Sequence, residues 1–196
     1  HVPHAYGDVV TFLQHPDLHA VHNCTPNHLH AAINKQVLLA GKHLFSEKPL
    51  CMTMGEAREL VALAEQAGVV NGVSFVYRQF AMVQQAASMV RSGETGRTFA
   101  VQGSYLQDWM LEETDYNWRV EADKGGASRA VADIGSHWCD TIQFVTGRKI
   151  VAVMADLAIV WPTRKANLAG QATFSAQTQQ AQYQDCPVNT EDLGFV

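Results

Sequence analysis

Short apolar runs alternate with helical patterns through the first 76 residues, and this rhythm restricts the fold more than any other feature of the sequence. The order is strand, helix, strand, helix, strand, with short connections. Strands joined by helical crossovers form a parallel sheet, and ligands bind beyond the carboxyl ends of its strands. We expect strands at residues 19–24, 43–46 and 69–76 and helices at residues 8–14, 25–40 and 53–67.

The helices of this region have recognisable end signals. Thr25 is a preferred N-cap residue, Pro26 suits the first helical position, and Gly41 favours a helix end. Thr53 and Glu56 have the spacing of a capping box. These signals place residues 25–27 and 47–49 directly after two strands, so we expect both segments at one edge of the sheet.

The second part of the chain has a different pattern. Alternation of apolar and polar residues replaces the strand and helix rhythm, which is typical of antiparallel strands. We expect helices at residues 81–91 and around His137, strands at residues 98–105 and 150–160, and a long loop or irregular edge over residues 164–189.

Composition and charge exclude several classes of protein. The formal net charge is −5 without a dense Lys or Arg block, so the sequence predicts no nucleic-acid-binding and no membrane-binding surface. No apolar run approaches the roughly 20 residues that span a bilayer. Scattered cysteines indicate neither a zinc site nor a disulfide framework, and we therefore expect a reducing, cytoplasmic environment. They are Cys24, Cys51, Cys139 and Cys186.

Glu47-Lys48-Pro49 is the first candidate for chemistry. A proline disfavours helical backbone at the residue before it, so Lys48 is expected in an extended conformation at the sheet edge. An ammonium group held there can polarise a substrate oxygen or assist proton transfer. The alternative is a surface lysine in an ordinary turn.

Asp133 and His137 are the second candidate, four residues apart on one face of a predicted helix. Histidine is the usual side chain that takes a proton from a hydroxyl, and a nearby carboxylate can orient it or bind a substrate hydroxyl. Gly135 between them would leave room for a ligand or a neighbouring backbone. Alternatively, Asp133 caps the helix and His137 fills the space between domains.

Other kinds of site have weaker signals. Asp133, His137, Cys139 and Asp140 could be metal ligands, and a metal-dependent hydrolase would use His137 and Asp133. Against this, Cys139 lies on another helix face from His137, and no second cluster supplies the remaining ligands of a zinc site. The sequence has no G-x-S-x-G elbow and no P-loop, so hydrolase and phosphotransfer functions lack their usual motifs. It also has no G-x-G-x-x-G turn, the usual dinucleotide motif of a parallel sheet.

A set of ordered motifs resembles the glucose-fructose oxidoreductase, inositol dehydrogenase and rhizopine-catabolism (Gfo/Idh/MocA) family. The resemblance runs from about Tyr6 to the last residue. The motifs are Cys24-Thr25-Pro26-Asn27-His28-Leu29-His30, Ala40-Gly41-Lys42-His43 leading to Glu47-Lys48-Pro49-Leu50, Tyr77-Arg78, Trp118-Arg119, Gly125-Gly126 and Asp133-Ile134-Gly135-Ser136-His137.

Members of that family are NAD(P)-dependent oxidoreductases that act mostly on sugars, polyols and their derivatives. The resemblance implies a partial Rossmann-type α/β domain at residues 1–77 and a partial α+β domain with an open, mainly antiparallel sheet at residues 78–196. It also implies NAD or NADP as cofactor, a sugar or polyol substrate, and a homo-oligomer formed through the C-terminal sheet. The family's glycine-rich segment and the end of its C-terminal sheet are not found in this sequence.

The resemblance also assigns roles to residues. Lys48 corresponds to the active-site lysine, often followed by a cis Lys-Pro bond, His137 to the proton acceptor, and Asp133 to a substrate-orienting carboxylate. Cofactor contacts are expected from Thr25, Pro26, Asn27, His30, Glu47, Lys48 and Pro49. Substrate contacts are expected from Arg78, Trp109, Trp118, Arg119 and Asp133, although such arginine and aromatic side chains equally suit packing or an interface.

A second hypothesis is a non-catalytic remnant or sugar-binding relative that keeps the fold without turnover. The lack of a phosphate-binding turn favours this hypothesis, whereas the joint presence of Lys48, Asp133 and His137 argues against it. The spacing from Gly126 to Asp133 is longer than the commonest form in the family, which leaves the ligand contacts of that loop open.

Overall fold

The computed structural model describes residues 3–168 and 182–196. The chain divides into two compact units, His1–Ser74 and Phe75–Val196. The predicted division into a cofactor domain and a substrate domain after residue 77 stays a prediction. Within the described ranges, no helix has the length and apolar character needed to cross a lipid bilayer.

A parallel three-stranded sheet forms the centre of the first unit. Its strands lie in the order β1-β2-β3, which confirms the predicted parallel α/β arrangement. Asn23 pairs with Ser46, and Ser46 pairs with Val73, so the carboxyl ends of the strands reach one edge together. The strands are β1 (Ala20–Asn23), β2 (His43–Ser46) and β3 (Asn71–Val73).

The helices of the first unit end largely where the sequence predicts. The capping box of Thr53 and Glu56 is present, and Gly68 ends its helix in the left-handed region with φ of 61°. The prediction that Thr25 caps a helix is wrong, because Pro26 occupies that position and the Thr25 hydroxyl donates instead to Asn23. The helices are α1 (Val9–Leu13), α2 (Asn27–Leu39) and α3 (Met54–Ala67).

The core of the first unit contains side chains from the sheet and from α2 and α3. Full burial of each large apolar side chain contributes about 1.5–3 kcal/mol to stability. The strand predicted over residues 69–76 is shorter than expected, because β2 offers register partners only to residues 71–73. The buried apolar residues are Val21, Val37, Leu38, Leu44, Leu60 and Ala64.

The second unit combines helices with antiparallel strand pairs, which confirms the predicted change of architecture. Strand β4 pairs with β7, and β5 pairs with β6, both antiparallel. The elements are a 3₁₀ turn (Val76–Gln79), α4 (Ala81–Arg91), a second 3₁₀ turn (Trp118–Val120), α5 (Ala122–Gly125), a π-helical turn (Val131–Gly135), α6 (Ser136–Thr146), β4 (Asp156–Ala158), β5 (Thr163–Asn167), β6 (Tyr183–Pro187) and β7 (Leu193–Phe195).

Three predictions for the second unit are wrong. Residues 98–105 form no strand, because they find no ladder partner among the described residues. Of residues 150–160 only 156–158 are a strand, since only these pair with β7. Residues 163–167 and 183–187 are strands rather than loop, although residues 169–181 lie outside the described part of the chain. The first of these strands lacks an apolar pattern because its fully buried side chain is Arg164.

Candidate active site

Two loops of the first unit, residues 25–27 and 47–49, lie side by side at the carboxyl edge of the sheet. The Glu47 N–H donates to the Asn23 carbonyl oxygen at 2.9 Å. The ring nitrogens of His30 lie 2.7 Å from the Thr25 carbonyl oxygen and 2.5 Å from the Pro49 carbonyl oxygen. Predicted cofactor residues of both loops therefore gather around one buried imidazole, which is only 1% exposed. A direct contact of His30 with the cofactor stays a prediction.

A buried network of polar side chains connects the ends of the strands and α2 beside these loops. Asn34 donates to Ser46 Oγ at 2.9 Å, and Asn23 donates to Asn34 Oδ1 at 2.8 Å. The Thr25 hydroxyl donates to Asn23 Oδ1 at 2.7 Å. A satisfied network of this kind fixes the groups that it joins. Sequence reasoning missed Asn23, Asn34 and Ser46, although a polar residue at an otherwise apolar strand position was an available signal.

Glu47 and Lys48 occupy the second loop. The Lys48–Pro49 peptide bond is cis, as the resemblance implies, and Lys48 is half-buried. The Glu47 carboxylate lies 3.4 Å from His22 Nε2. Burial, and then the negative charge of Glu47, raise the pKa of the Cys24 thiol. The first unit thus presents the side chains of Cys24, Glu47 and Lys48 at the same sheet edge.

In the second unit, Asp133 and His137 lie on one continuous helical segment. Asp133 is in the π-helical turn and His137 is in the first turn of α6. Isolated π-helical turns occur frequently at functional sites. His137 is 8% exposed, and its ring centroid lies 4.5 Å from Tyr77, 5.7 Å from Phe75 and 6.4 Å from Tyr105. An aromatic cluster therefore fixes the orientation of the imidazole.

Glu191 caps the start of this helical segment. Its carboxylate accepts from the Arg129 N–H at 3.0 Å, the Val131 N–H at 2.9 Å and the Ser128 hydroxyl at 2.7 Å. Helix N-termini leave backbone donors unpaired and favour negative charge, so a buried carboxylate suits this position. Glu191, rather than Asp133, is the capping residue. Sequence reasoning missed it because no local signal links positions so far apart.

Four of the five predicted substrate residues come together in the second unit. The Arg119 guanidinium carbon lies 4.6 Å from the Trp118 ring centroid and 5.4 Å from that of Trp109. Its Nε atom lies 3.6 Å from Asp133 Oδ2. The indole rings and the carboxylate thus hold the guanidinium in place. Contact of these side chains with a substrate stays a prediction.

The fifth residue, Arg78, points its guanidinium at α6. Arg78 Nε donates to Asp140 Oδ2 at 2.8 Å, and the guanidinium carbon lies 5.4 Å from the Phe144 ring centroid. The hydrogen bond to Asp140 raises the pKa of Arg78. This pair joins the segment after residue 75 to the helix that contains His137, and a substrate contact of Arg78 stays a prediction.

A cavity of about 140 Å³ lies beside Asp133 within the second unit. Trp109 and Trp161 line it together with the buried arginines Arg129 and Arg164. The cavity therefore places two of the predicted substrate residues, Trp109 and Asp133, on one concave surface.

Asp192 holds the two buried arginines. It accepts from Arg164 Nη2 at 2.7 Å and also bonds to Arg129. Burial alone would raise the pKa of Asp192, but the hydrogen bonds from Trp161 N–H, Arg164 and Val160 N–H and the charge of Arg129 outweigh it and lower the pKa. Burial lowers the pKa of Arg129. Sequence reasoning missed this charged cluster, because buried ionic groups resemble surface residues in a sequence.

Glycine positions near the site have different roles. A Cβ atom at Gly125 would lie 2.5 Å from the Arg119 carbonyl oxygen, so the backbone approach there requires glycine. A Cβ atom at Gly135 would lie 3.3 Å from Val131 Cγ1. The space predicted for a ligand at Gly135 is therefore bordered by a side chain of the same helical segment. Within residues 3–168 and 182–196, no group of three or more His, Cys, Asp or Glu side chains could hold a metal ion.

Two family models match this chain in sequence order. Residues 1–75 match the model of an oxidoreductase family with an NAD-binding Rossmann fold. Residues 83–188 match the model of the GFO/IDH/MocA C-terminal domain. The first match contains the loops with Thr25 and Lys48, and the second contains the helical segment with Asp133 and His137.

Two curated relatives are similar to the chain over much of its length. Levoglucosan dehydrogenase of Pseudarthrobacter phenanthrenivorans is 34% identical over 165 residues, covering 84% of this chain and 42% of the relative. The 1,5-anhydro-D-fructose reductase of Ensifer adhaerens is 36% identical over 137 residues, covering 66% of this chain and 38% of the relative. The chain spans less than half the length of these relatives.

A solved structure resembles the fold closely. Levoglucosan dehydrogenase in complex with NADH and levoglucosan is 30% identical, with a TM-score of 0.81. The similarity covers 96% of this chain and 46% of that one.

Proposed function

Because this chain belongs to the Gfo/Idh/MocA oxidoreductase family, we propose that its protein transfers hydride between a sugar, polyol or derivative and NAD or NADP. The observation that carries the proposal is the ordered match of both family models over the segments that contain Lys48 and His137. The buried network below residues 25–27 and the Glu191 cap of the other segment support it, because both hold candidate residues in fixed positions.

The residues of the first unit fit a dinucleotide cofactor. The loops at 25–27 and 47–49 offer backbone and side-chain polar groups at the carboxyl edge of a parallel sheet, where such ligands bind. We assign Thr25, Asn27 and Glu47 to the nicotinamide and its ribose. When bound, the nicotinamide ring supplies the hydride acceptor or donor.

Three side chains of the chain then act on the substrate. His137 accepts the proton of the reacting hydroxyl, and the Lys48 ammonium stabilises the negative charge that develops on that oxygen. Asp133 accepts a hydrogen bond from a further hydroxyl and orients the sugar. Arg119, held against Trp109 and Trp118, positions the Asp133 carboxylate through its contact at 3.6 Å.

The names of two relatives support a narrower substrate class. Levoglucosan and 1,5-anhydro-D-fructose, which appear in the names of two relatives, are cyclic anhydrosugars. We propose a polyhydroxylated ring of this kind as substrate. An assay of the full-length protein with both compounds and both cofactors tests this substrate class.

Substitution of His137 by Gln tests the central assignment. In the full-length protein we expect turnover to fall about 10²–10⁴-fold, since general base catalysis contributes that much. Affinity for NADH, measured by fluorescence titration, should stay the same. His28→Gln is the matched control, because His28 is exposed on α2.

Lys48→Met provides a second test with the same assay. Loss of the ammonium should reduce kcat far more than NADH binding. Normal turnover in either variant would contradict the assigned role. A protein that binds NADH and a sugar but oxidises none would instead support a sugar-binding relative of the same fold.

We also propose a cytoplasmic homo-oligomer. Large apolar side chains of the second unit are exposed, such as Phe99 at 86% and Val151 at 95%, and an oligomer would cover them. All four cysteines are free thiols, which suits a reducing compartment. Sedimentation velocity of the full-length protein tests the assembly, and cell fractionation tests the location.

A further inference from the structure

A chain of hydrogen bonds in the second unit ends at the hydroxyl of Tyr77. Trp109 Nε1 donates to Gln107 Oε1 at 2.6 Å. Gln107 Nε2 donates to the Tyr105 hydroxyl at 3.0 Å. The hydroxyls of Tyr105 and Tyr77 are hydrogen-bonded to each other. Four side chains are thus connected in a single row.

The chemistry of these groups sets the direction of the row. An indole N–H can only donate, so the Gln107 amide must face Trp109 with its oxygen and Tyr105 with its nitrogen. The Tyr105 oxygen therefore accepts from Gln107. Donation of the Tyr105 proton to Tyr77 continues the row in one direction, the arrangement in which each bond strengthens the next. The Tyr77 proton is then left to donate elsewhere.

The Tyr77 hydroxyl belongs to the aromatic cluster that surrounds His137. The Tyr77 and His137 ring centroids are 4.5 Å apart, and Tyr77 is half-buried. Among the described residues, Tyr105 is the only hydrogen-bond partner of the Tyr77 hydroxyl. Burial, and then the hydrogen bond to Tyr77, raise the pKa of Tyr105 to about 12, so its phenol keeps its proton at neutral pH and acts as a donor.

We propose that Tyr77 donates a hydrogen bond to a sugar hydroxyl oxygen adjacent to the hydroxyl that His137 deprotonates. The inference rests on the proposed function and adds a specificity-determining residue to it. Tyr105 and Gln107 act through Tyr77 and are positioning residues. The ligand group of this subsite is an alcohol oxygen, because a phenol O–H is a hydrogen-bond donor that carries no charge.

Tyr77→Phe in the full-length protein tests the proposal, because it removes one oxygen and keeps the ring. We expect KM for levoglucosan to rise about tenfold, the effect of one ordinary hydrogen bond, with little change in kcat. KM for the cofactor should stay the same. With a set of monodeoxy analogues, the analogue that lacks the contacted hydroxyl should show no difference between wild type and variant.

Tyr105→Phe distinguishes the positioning role of Tyr105 from the substrate contact proposed for Tyr77. Tyr77 keeps its own hydroxyl in this variant but loses the donor that orients it, so we expect a rise in KM of about threefold. The double variant should match Tyr77→Phe alone, because residues in one network are not additive. Tyr116→Phe is the control, since Tyr116 is a half-buried tyrosine of the same unit outside the row.

The outcomes separate the two proposals. An active wild type whose KM for every sugar is unchanged by Tyr77→Phe overturns the role of Tyr77 and leaves the proposed function intact. Equal losses for parent and deoxy sugars also overturn that role, since they indicate a structural effect. A wild type that neither turns over nor binds any sugar, by calorimetry with NADH present, overturns both proposals.

Discussion

The two units hold their candidate residues by different physical means. In the first unit, loops 25–27 and 47–49 follow strands whose backbone register places them side by side. In the second unit, the segment with Asp133 and His137 is capped by Glu191, a side chain some 60 positions away in the sequence. In the first unit, hydrogen bonds between strands position the loops, and the strands can be recognised from local sequence. In the second unit, side chains far apart in the sequence position the helical segment, and their contacts are seen only in the folded chain.

Among the variants that test this comparison, Asp192→Ala should have the largest effect on stability. The substitution leaves Arg129 and Arg164 buried without their shared carboxylate, and removal of one partner from a buried ionic group costs about 3–5 kcal/mol. We expect that loss in the free energy of unfolding of the second unit, measured by hydrogen exchange in denaturant. Asp185→Ala is the control, because Asp185 is exposed on β6. A loss below about 1 kcal/mol would mean that the cluster does not hold this unit.

The pH dependence of stability provides a second test of the role of Asp192. The folded-state pKa of Asp192 lies below its ordinary value of 3.8, so its carboxylate stabilises the fold above that pH. The contribution disappears as pH falls through the folded-state pKa. We therefore expect the stability difference between wild type and Asp192→Asn to close below pH 3.8. A difference that persists in stronger acid would contradict the role of the charge.

His30→Leu asks how far the first unit also depends on a side chain. The change removes the ring nitrogens that lie against the carbonyl oxygens of Thr25 and Pro49, and one buried carbonyl group left without a donor costs about 1–3 kcal/mol. We expect a loss of about 2–3 kcal/mol in the first unit, seen by hydrogen exchange. His28→Leu is the exposed control. No loss would show that the backbone ladder alone fixes the loops.

Two glycine substitutions compare the units directly. Gly125→Ala forces a Cβ atom against the Arg119 carbonyl, and we expect a loss of about 2 kcal/mol in the second unit. Gly55 lies in α3, where an added Cβ atom would make only an ordinary contact with Thr53 Oγ1 at 3.9 Å, and for Gly55→Ala we expect a gain of about 0.5–1 kcal/mol from helix propensity. Thermal unfolding measures both, and effects of the same sign would contradict the expectation.

A further small effect concerns a local signal of the first unit. Thr53→Ala removes the capping box of α3, which costs about 1 kcal/mol. Thr53→Ser should recover the loss, because serine caps equally well. Chemical denaturation measures both variants. A loss above about 3 kcal/mol would mean that Thr53 has a further role beyond the helix end.

Predictions from the sequence were accurate for elements that are specified by local residues. The capping box at Thr53, the helix end at Gly68 and the strand at His43–Ser46 were predicted almost to the residue. It failed for residues 98–105, whose alternating pattern is that of a strand but which find no ladder partner among the described residues. An alternating pattern shows which face of a segment is apolar, but a strand also requires a second strand that pairs with its backbone.

The candidate site depends on the same kind of local signal. Lys48, Asp133 and His137 are candidates because each stands in a short motif, and their roles stay predictions. Glu191 and Arg164 were not found, because their importance depends on contacts with residues about 50 to 60 positions earlier.

The buried cluster of the second unit also has a consequence for biosynthesis. The ladder of the first unit is complete once Val73 has left the ribosome, whereas Arg129 and Arg164 must wait for Asp192. At usual elongation rates this interval lasts on the order of ten seconds. During the later part of this interval, the nascent chain would contain a formed sheet in the first unit and the unpaired guanidinium groups of Arg129 and then Arg164 in the second, and a chaperone would have most to protect at that stage.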